Sequence, residues 1–290
     1  MRHANSTFKG PGGGAATLIR SPRLRKATPP SPVHLAVVMS EFDGTLRVGH
    51  DGGTSVATGA AIAYKAKAII DSTISVRTSS QVPKTQQVSL EKNEGVEVTA
   101  TYVYADMVGS SALAQMAYKP VTAKIIRSYI NGASSILREF GGDIKSFDGD
   151  RVMAIFIGED METRAVRAAL AVNWLVDQEL SAKIAQTWTD IASSWRLKHS
   201  IGIDRGDAVI TRGGVRGDND LISIGSAPNV AAKLSDLRDG YSIHITKAVY
   251  EPMSYEVAIY NNSNFWHQLL PVTVGGKTFS VLATNAYWGF

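Results

Sequence analysis

Two apolar runs separated by Asp148-Gly149 constrain this chain more than any other feature. Asp-Gly between such runs predicts a tight hairpin, because a type I′ turn needs positive φ. The runs are residues 143–147 and 150–157, so Asp150 opens the second strand. Upstream, Val96, Val98, Ala100, Tyr102 and Tyr104 alternate with smaller or more polar residues. That period of two predicts a half-buried strand ending at Asp106. Between it and the hairpin lies a helix over 112–140, interrupted near Pro120 and stopped by Gly141-Gly142. An amphipathic helix over 162–184 follows. A second hairpin joins 199–203 to 208–211 across 204–207. A strand at 221–225, a helix over 227–237 and a strand at 241–245 come next, with late strands to the end. The order is β-α-β-β-α-β plus further C-terminal strands. This is an α+β fold with a ferredoxin-like βαββαβ core, an antiparallel sheet covered by helices on one face.

The organisation before that core is different in kind. Residues 1–55 read as a disordered basic leader, rich in Gly, Ser, Pro and Thr. Met39 offers an alternative start. Residues 56–90 read as a helix over 56–72 and a linker, and residues 91–290 as the main domain. Net charge is +4, yet the first forty residues carry Arg2, Lys9, Arg20, Arg23, Arg25 and Lys26 and no acid. The basic character therefore belongs to the leader, where nucleic-acid contact is a rival reading and not the expected one. The chain has no cysteine, which excludes disulfides and thiolate metal sites. A metal would need oxygen or imidazole ligands, which favours a hard ion such as magnesium or manganese. No apolar run approaches the roughly 20 residues needed to cross a bilayer, so a cytoplasmic protein without membrane contact is expected.

Chemistry is suggested by three separated segments. If the strand ending at Asp106 pairs with the one opening at Asp150, two carboxylates meet at one end of a sheet and could share divalent cations. The alternative is a helix cap at Asp106 and a turn residue at Asp150. Gly109, Ser110 and Ser111 follow Asp106 at a helix start, where free N–H groups suit phosphate. Asn229 and Lys233 are four apart on one helix face, placing an amide and a cation together. Pro228 suits that helix's first turn.

Tyr104-Ala105-Asp106-Met107-Val108-Gly109-Ser110-Ser111, the stretch from Lys145 to Phe156, and Gly225 through Lys233 together make the chain resemble the class III nucleotidyl cyclases. The resemblance covers residues 96–237. It implies that Asp106 and Asp150 bind two Mn2+ or Mg2+ ions with help from the Met107 carbonyl. It also implies a homodimer with active sites at the interface, where Asn229 orients the ribose and Lys233 neutralises the transition-state phosphate. Gly109, Ser110, Ser111 and Arg151 would contact the nucleotide's phosphates. Purine cyclases carry a base-reading lysine where this chain has Ser146, with Lys145 one residue off and facing away. They carry an aspartate where it has Ile222, and mostly an arginine where it has Lys233. Residues 146–153 and 210–221 are similar to the pyrimidine cyclases of bacterial Pycsar antiphage systems. That likeness implies a pyrimidine nucleoside triphosphate as substrate, UTP ahead of CTP, and a product acting on a separate cyclic-nucleotide-responsive effector. An ATP or GTP cyclase, or a catalytically silent nucleotide-sensing dimer, are the competing readings.

Overall fold

The computed structural model describes residues 58–289, of which 59 onward belong to one compact unit. The expected leader and alternative start lie outside the described residues. The first helix is α1, Gly59–Asp71, and none of its residues is buried. A short strand β1, Ser75–Thr78, runs parallel to the start of β2, Glu94–Val108. Helices α2, Ser110–Met116, and α3, Lys119–Glu139, are separate, with Pro120 in the first turn of α3. Proline lacks the N–H that a helix interior needs but fits its first turn, so the chain restarts there instead of kinking. The hairpin strands are β3, Asp143–Asp148, and β4, Arg151–Phe156; α4, Met161–Trp174, follows. It passes through a wide π turn at Leu175–Leu180 into α5, Ser181–Thr187. Then come β5, Lys198–Val215, β6, Asp218–Gly225, α6, Ser226–Ser235, β7, Ile243–Thr246, β8, His267–Gln268, and β9, Val281–Thr284.

Among the described residues the main sheet has the order β8-β9-β7-β5-β2-β4-β3, with β1 also on β2 and β6 on β5. β2 is its spine. It pairs antiparallel with β4 from Thr101↔Phe156 to Asp106↔Arg151, and with β5 from Gly95↔Thr211 to Val108↔Lys198. The period of two sorts β2 cleanly. Val103, Ala105 and Met107 enter the large core under α3 and α4, with Phe156, Leu170 and Ile201. Val96, Val98, Ala100 and Tyr102 enter a smaller core on the opposite face, with Met153, Ala227 and Ala231.

The structure corrects five expectations. The two-residue loop of the hairpin is Gly149-Asp150, flanked by the pair Asp148↔Arg151, so Asp150 sits in the turn and not in the strand. Of those two only Gly149 has positive φ, 61°, which fits a type II′ turn with glycine first, not type I′. Residues 204–207 are no turn: β5 runs straight through them. Asp204 accepts from Thr246 Oγ1 at 2.5 Å, Arg205 meets Glu162 at 3.0 Å, and Asp207 accepts from Thr99 Oγ1 at 2.5 Å. Each polar side chain finds a partner along an extended strand. The real hairpin is β5–β6, turning after Val215↔Asp218. The helix expected over 162–184 is interrupted by the π turn. The sheet is mixed, since β5 pairs parallel with β7, and helices cover both faces, because α6 lies on the smaller core. Gly202 permits that packing: a Cβ there would stand 2.0 Å from the Ala231 carbonyl oxygen. Finally, Lys145 does not face away from Ser146. A β-bulge falls between Ile144 and Ser146. The extra residue lets Lys145 Nζ donate to the Pro83 carbonyl at 3.3 Å, while Ser146 Oγ meets Met153 Sδ at 3.6 Å.

Candidate active site

The end of β2 and the tip of the β3–β4 hairpin bring Asp106 and Asp150 together. Asp106 pairs with Arg151 in register, and the Met107 amide donates to the Asp150 carbonyl at 3.4 Å. Asp106 is buried among polar groups on the α6 side of the sheet, whereas the Met107 side chain is in the opposite core. Only the Met107 backbone can therefore take part in the site. Among the described residues there is no cluster of three or more His, Cys, Asp and Glu side chains. Two carboxylates and a carbonyl would supply an incomplete, all-oxygen donor set. That donor set suits a hard divalent ion that completes its coordination with water and substrate phosphate. The residues fit the group that the family resemblance implies.

Asp106 is engaged by arginine. Arg151 Nε donates to its Oδ1 at 3.3 Å and Arg238 Nη2 to its Oδ2 at 2.9 Å. Arg151 also meets Asp236 at 2.6 Å. Burial works against the Arg151 charge, but hydrogen bonds and charge from Asp106 and Asp236 hold its pKa above the ordinary value. Tyr129, buried on α3 behind the site, has no hydrogen-bond partner for its hydroxyl among the described residues. Burial first, then the charges of Asp106 and Asp150, push its pKa well up.

Gly109 caps α2 with φ 79° and makes no side-chain cap. Trp195 Nε1 donates to its carbonyl at 3.2 Å and fixes the loop. Ser110 is half-buried and Ser111 exposed at the helix start. On α6, Asn229 and Lys233 lie on the exposed face with Asp236. Neither makes a side-chain hydrogen bond or ion pair among the described residues. Ile222 lies on the exposed face of β6, against Gly213, and not beside Asp106. Its neighbour Ser223 is the residue that reaches Tyr102.

Two residues were missed from sequence. Arg238 belongs to no motif; it lies in the loop after α6 and reaches Asp106 only through folding. Tyr102 is fully buried on the same face as Asp106, beside Tyr104. Its hydroxyl lies near Ser223 without a well-aligned hydrogen bond; burial raises its pKa to about 12, with Ser223 pulling the other way. The alternation that located β2 already placed Tyr102 on that face, so this signal was available.

No family model matches the chain. It is 42% identical over 177 residues to a uridylate cyclase from Rhodovulum sp. (strain MB263), covering 60% of this chain and 73% of that protein. It is 37% identical over 193 residues to a uridylate cyclase from Burkholderia cepacia, covering 66% and 82% respectively. Among solved structures, the adenylyl cyclase CyaB from P. aeruginosa superposes with a TM-score of 0.54 at 21% identity, over 66% of this chain and 95% of that one. The guanylyl cyclase Cya2 superposes equally well, with a TM-score of 0.54 at 17% identity, over 67% and 95%. The structural likenesses carry the α+β fold with its mixed sheet.

Proposed function

This chain belongs to the uridylate cyclases, a family of class III nucleotidyl cyclases, and from that footing we propose that it converts UTP to 3′,5′-cyclic UMP and pyrophosphate. The observation that carries the reaction type is the convergence of Asp106 and Asp150 at one sheet end, beside an open helix start. The names of the relatives support UTP over CTP.

Asp106, Asp150 and the Met107 carbonyl would hold the divalent ions, which lower the pKa of the 3′-hydroxyl and neutralise charge on the phosphates when bound. The rest of the catalysis is positioning and charge stabilisation by the chain itself. The backbone N–H groups at Gly109, Ser110 and Ser111 donate to phosphate oxygens, and Arg151 adds fixed positive charge. Asn229 and Lys233 project from α6 without a side-chain partner among the described residues, which suits groups that serve a second copy. In this reading the enzyme is a homodimer: Asn229 orients the partner's ribose, and Lys233 meets charge building on the α-phosphate. On the base side, Ser146 and Ile222 replace the charged pair that reads purines, and the bulge brings Lys145 to the Ser146 side. The product would act on a separate cyclic-nucleotide-responsive effector in antiphage defence.

The test is incubation with UTP, CTP, ATP and GTP in manganese, followed by mass spectrometry and pyrophosphate detection. Cyclic UMP is the expected main product. Cyclic AMP or GMP in its place would move the chain to the purine cyclases. No pyrophosphate from any of the four would leave a nucleotide-sensing dimer.

A further inference from the structure

The carboxylate that the proposed reaction needs most is held by two guanidinium groups, one on each oxygen. The two arginines are not equivalent. Arg151 carries a second ion pair, to Asp236 at 2.6 Å, and would stay charge-balanced if Asp106 turned elsewhere. Arg238 has Asp106 as its ion-pair partner; its other bonds go to the carbonyls of Ser235 at 2.8 Å and Leu237 at 2.9 Å. Its side chain is 43% exposed against 25% for Arg151. It stands in the loop between α6 and β7, two residues before Gly240 at φ 95°. It also lines a cavity of about 460 Å³ just past Asp106 along β2, together with Val108, Lys198, Ser200 and Tyr241. Arg238 therefore has somewhere to go, and the place bears two further cations, Lys198 and Arg196, the latter paired with Asp177.

We infer that Arg238 is an exchangeable counter-ion for Asp106. In the metal-free protein it neutralises and orients the carboxylate. A divalent cation competes with it for the same oxygens, because a third cation on a carboxylate that already holds two guanidinium groups is repelled by both, and Arg238, with no second ion pair, is the one to yield. Once displaced into the cavity, the guanidinium is free to meet the anionic tail of the substrate, for which Arg is well shaped. Arg238 thus has opposite effects on metal and nucleotide. This rests on the cyclase reading of Asp106.

The experiment measures Mn2+ binding to the full chain by electron paramagnetic resonance without nucleotide, for wild type, Arg238→Met and Arg238→Lys. The KM for UTP at saturating Mn2+ is measured alongside. Arg238→Met is expected to bind Mn2+ about tenfold more tightly, a usual size for coupling between competing ligands. Its KM should rise by about tenfold, the value of a charged hydrogen bond. Arg238→Lys keeps the charge and should bind Mn2+ as wild type does. Unchanged or weaker Mn2+ binding in Arg238→Met overturns the inference while leaving the cyclase reading intact. Tighter Mn2+ binding with an unchanged KM overturns the phosphate half. A wild-type protein that binds no Mn2+, with or without UTP, overturns the cyclase reading itself.

Discussion

The two faces of β2 differ in what they do with alternate residues of one strand. Val103, Ala105 and Met107 point under α3 and α4 into the large, mainly apolar core. Tyr102 and Tyr104 point the other way, into the smaller core, which gives way beyond them to Asp106, a carboxylate between two arginines. One face consumes side chains to make the fold stable. The other starts as a second apolar core and ends, past Tyr104, in charged groups that a packed core would reject. Chemistry on the second face should therefore be removable without loss of the first, and the reverse.

The strongest way to break that division is at Phe156, fully buried against α4. Phe156→Ala should cost about 3–5 kcal/mol of stability, measured by urea unfolding, while turnover per folded molecule survives. A variant that stays stable but loses turnover would mean the two faces are coupled. Next in size is Lys233→Ala, which should leave melting unchanged and cost about 2–4 kcal/mol of transition-state stabilisation. A kcat near wild type would remove Lys233 from the site.

Asp204 sharpens the comparison because it is a carboxylate buried for structure. Burial raises its pKa to about 6, against the lowering pull of Thr246 and Arg205. A raised folded pKa means its contribution to stability is full below about pH 3.8 and is lost as pH rises through about 6. Asp204→Asn keeps an acceptor for Thr246. It should raise stability by about 3 kcal/mol at pH 7.5 and change it little near pH 4. His199 runs the other way. Burial lowers its pKa to about 3, so its contribution is full above pH 6.5 and declines as pH falls toward 3. The difference between Asp204→Asn and wild type isolates Asp204 from that opposing slope; a difference that does not change with pH would contradict the assignment. The smallest effect is expected from Tyr102→Phe. Deleting a buried hydroxyl without an aligned partner should change stability by no more than about 1 kcal/mol. A larger loss would mean that Ser223 bonds it firmly.

The same contrast explains what the sequence could reveal. Period-two alternation gave β2 and its two faces, and the glycine turn gave the hairpin, because both are local rules. The convergence of Asp106 with Asp150 followed from those two elements. What stayed hidden depends on partners far along the chain. The polar run 204–207 looks like a turn until Thr246, Glu162 and Thr99 satisfy it inside a long strand. A bulge at Lys145 adds one residue and changes the side it faces, and composition does not record it. Arg238 is one of many surface-like arginines until α6 delivers it to a carboxylate 132 positions earlier.

The central claim is tested most directly by measuring UTP turnover and thermal melting together on Asp106→Ala. The expected result is loss of cyclic UMP formation by about a thousandfold or more, with melting within a few degrees of wild type. Substantial cyclic UMP production by a well-folded Asp106→Ala protein would contradict the account.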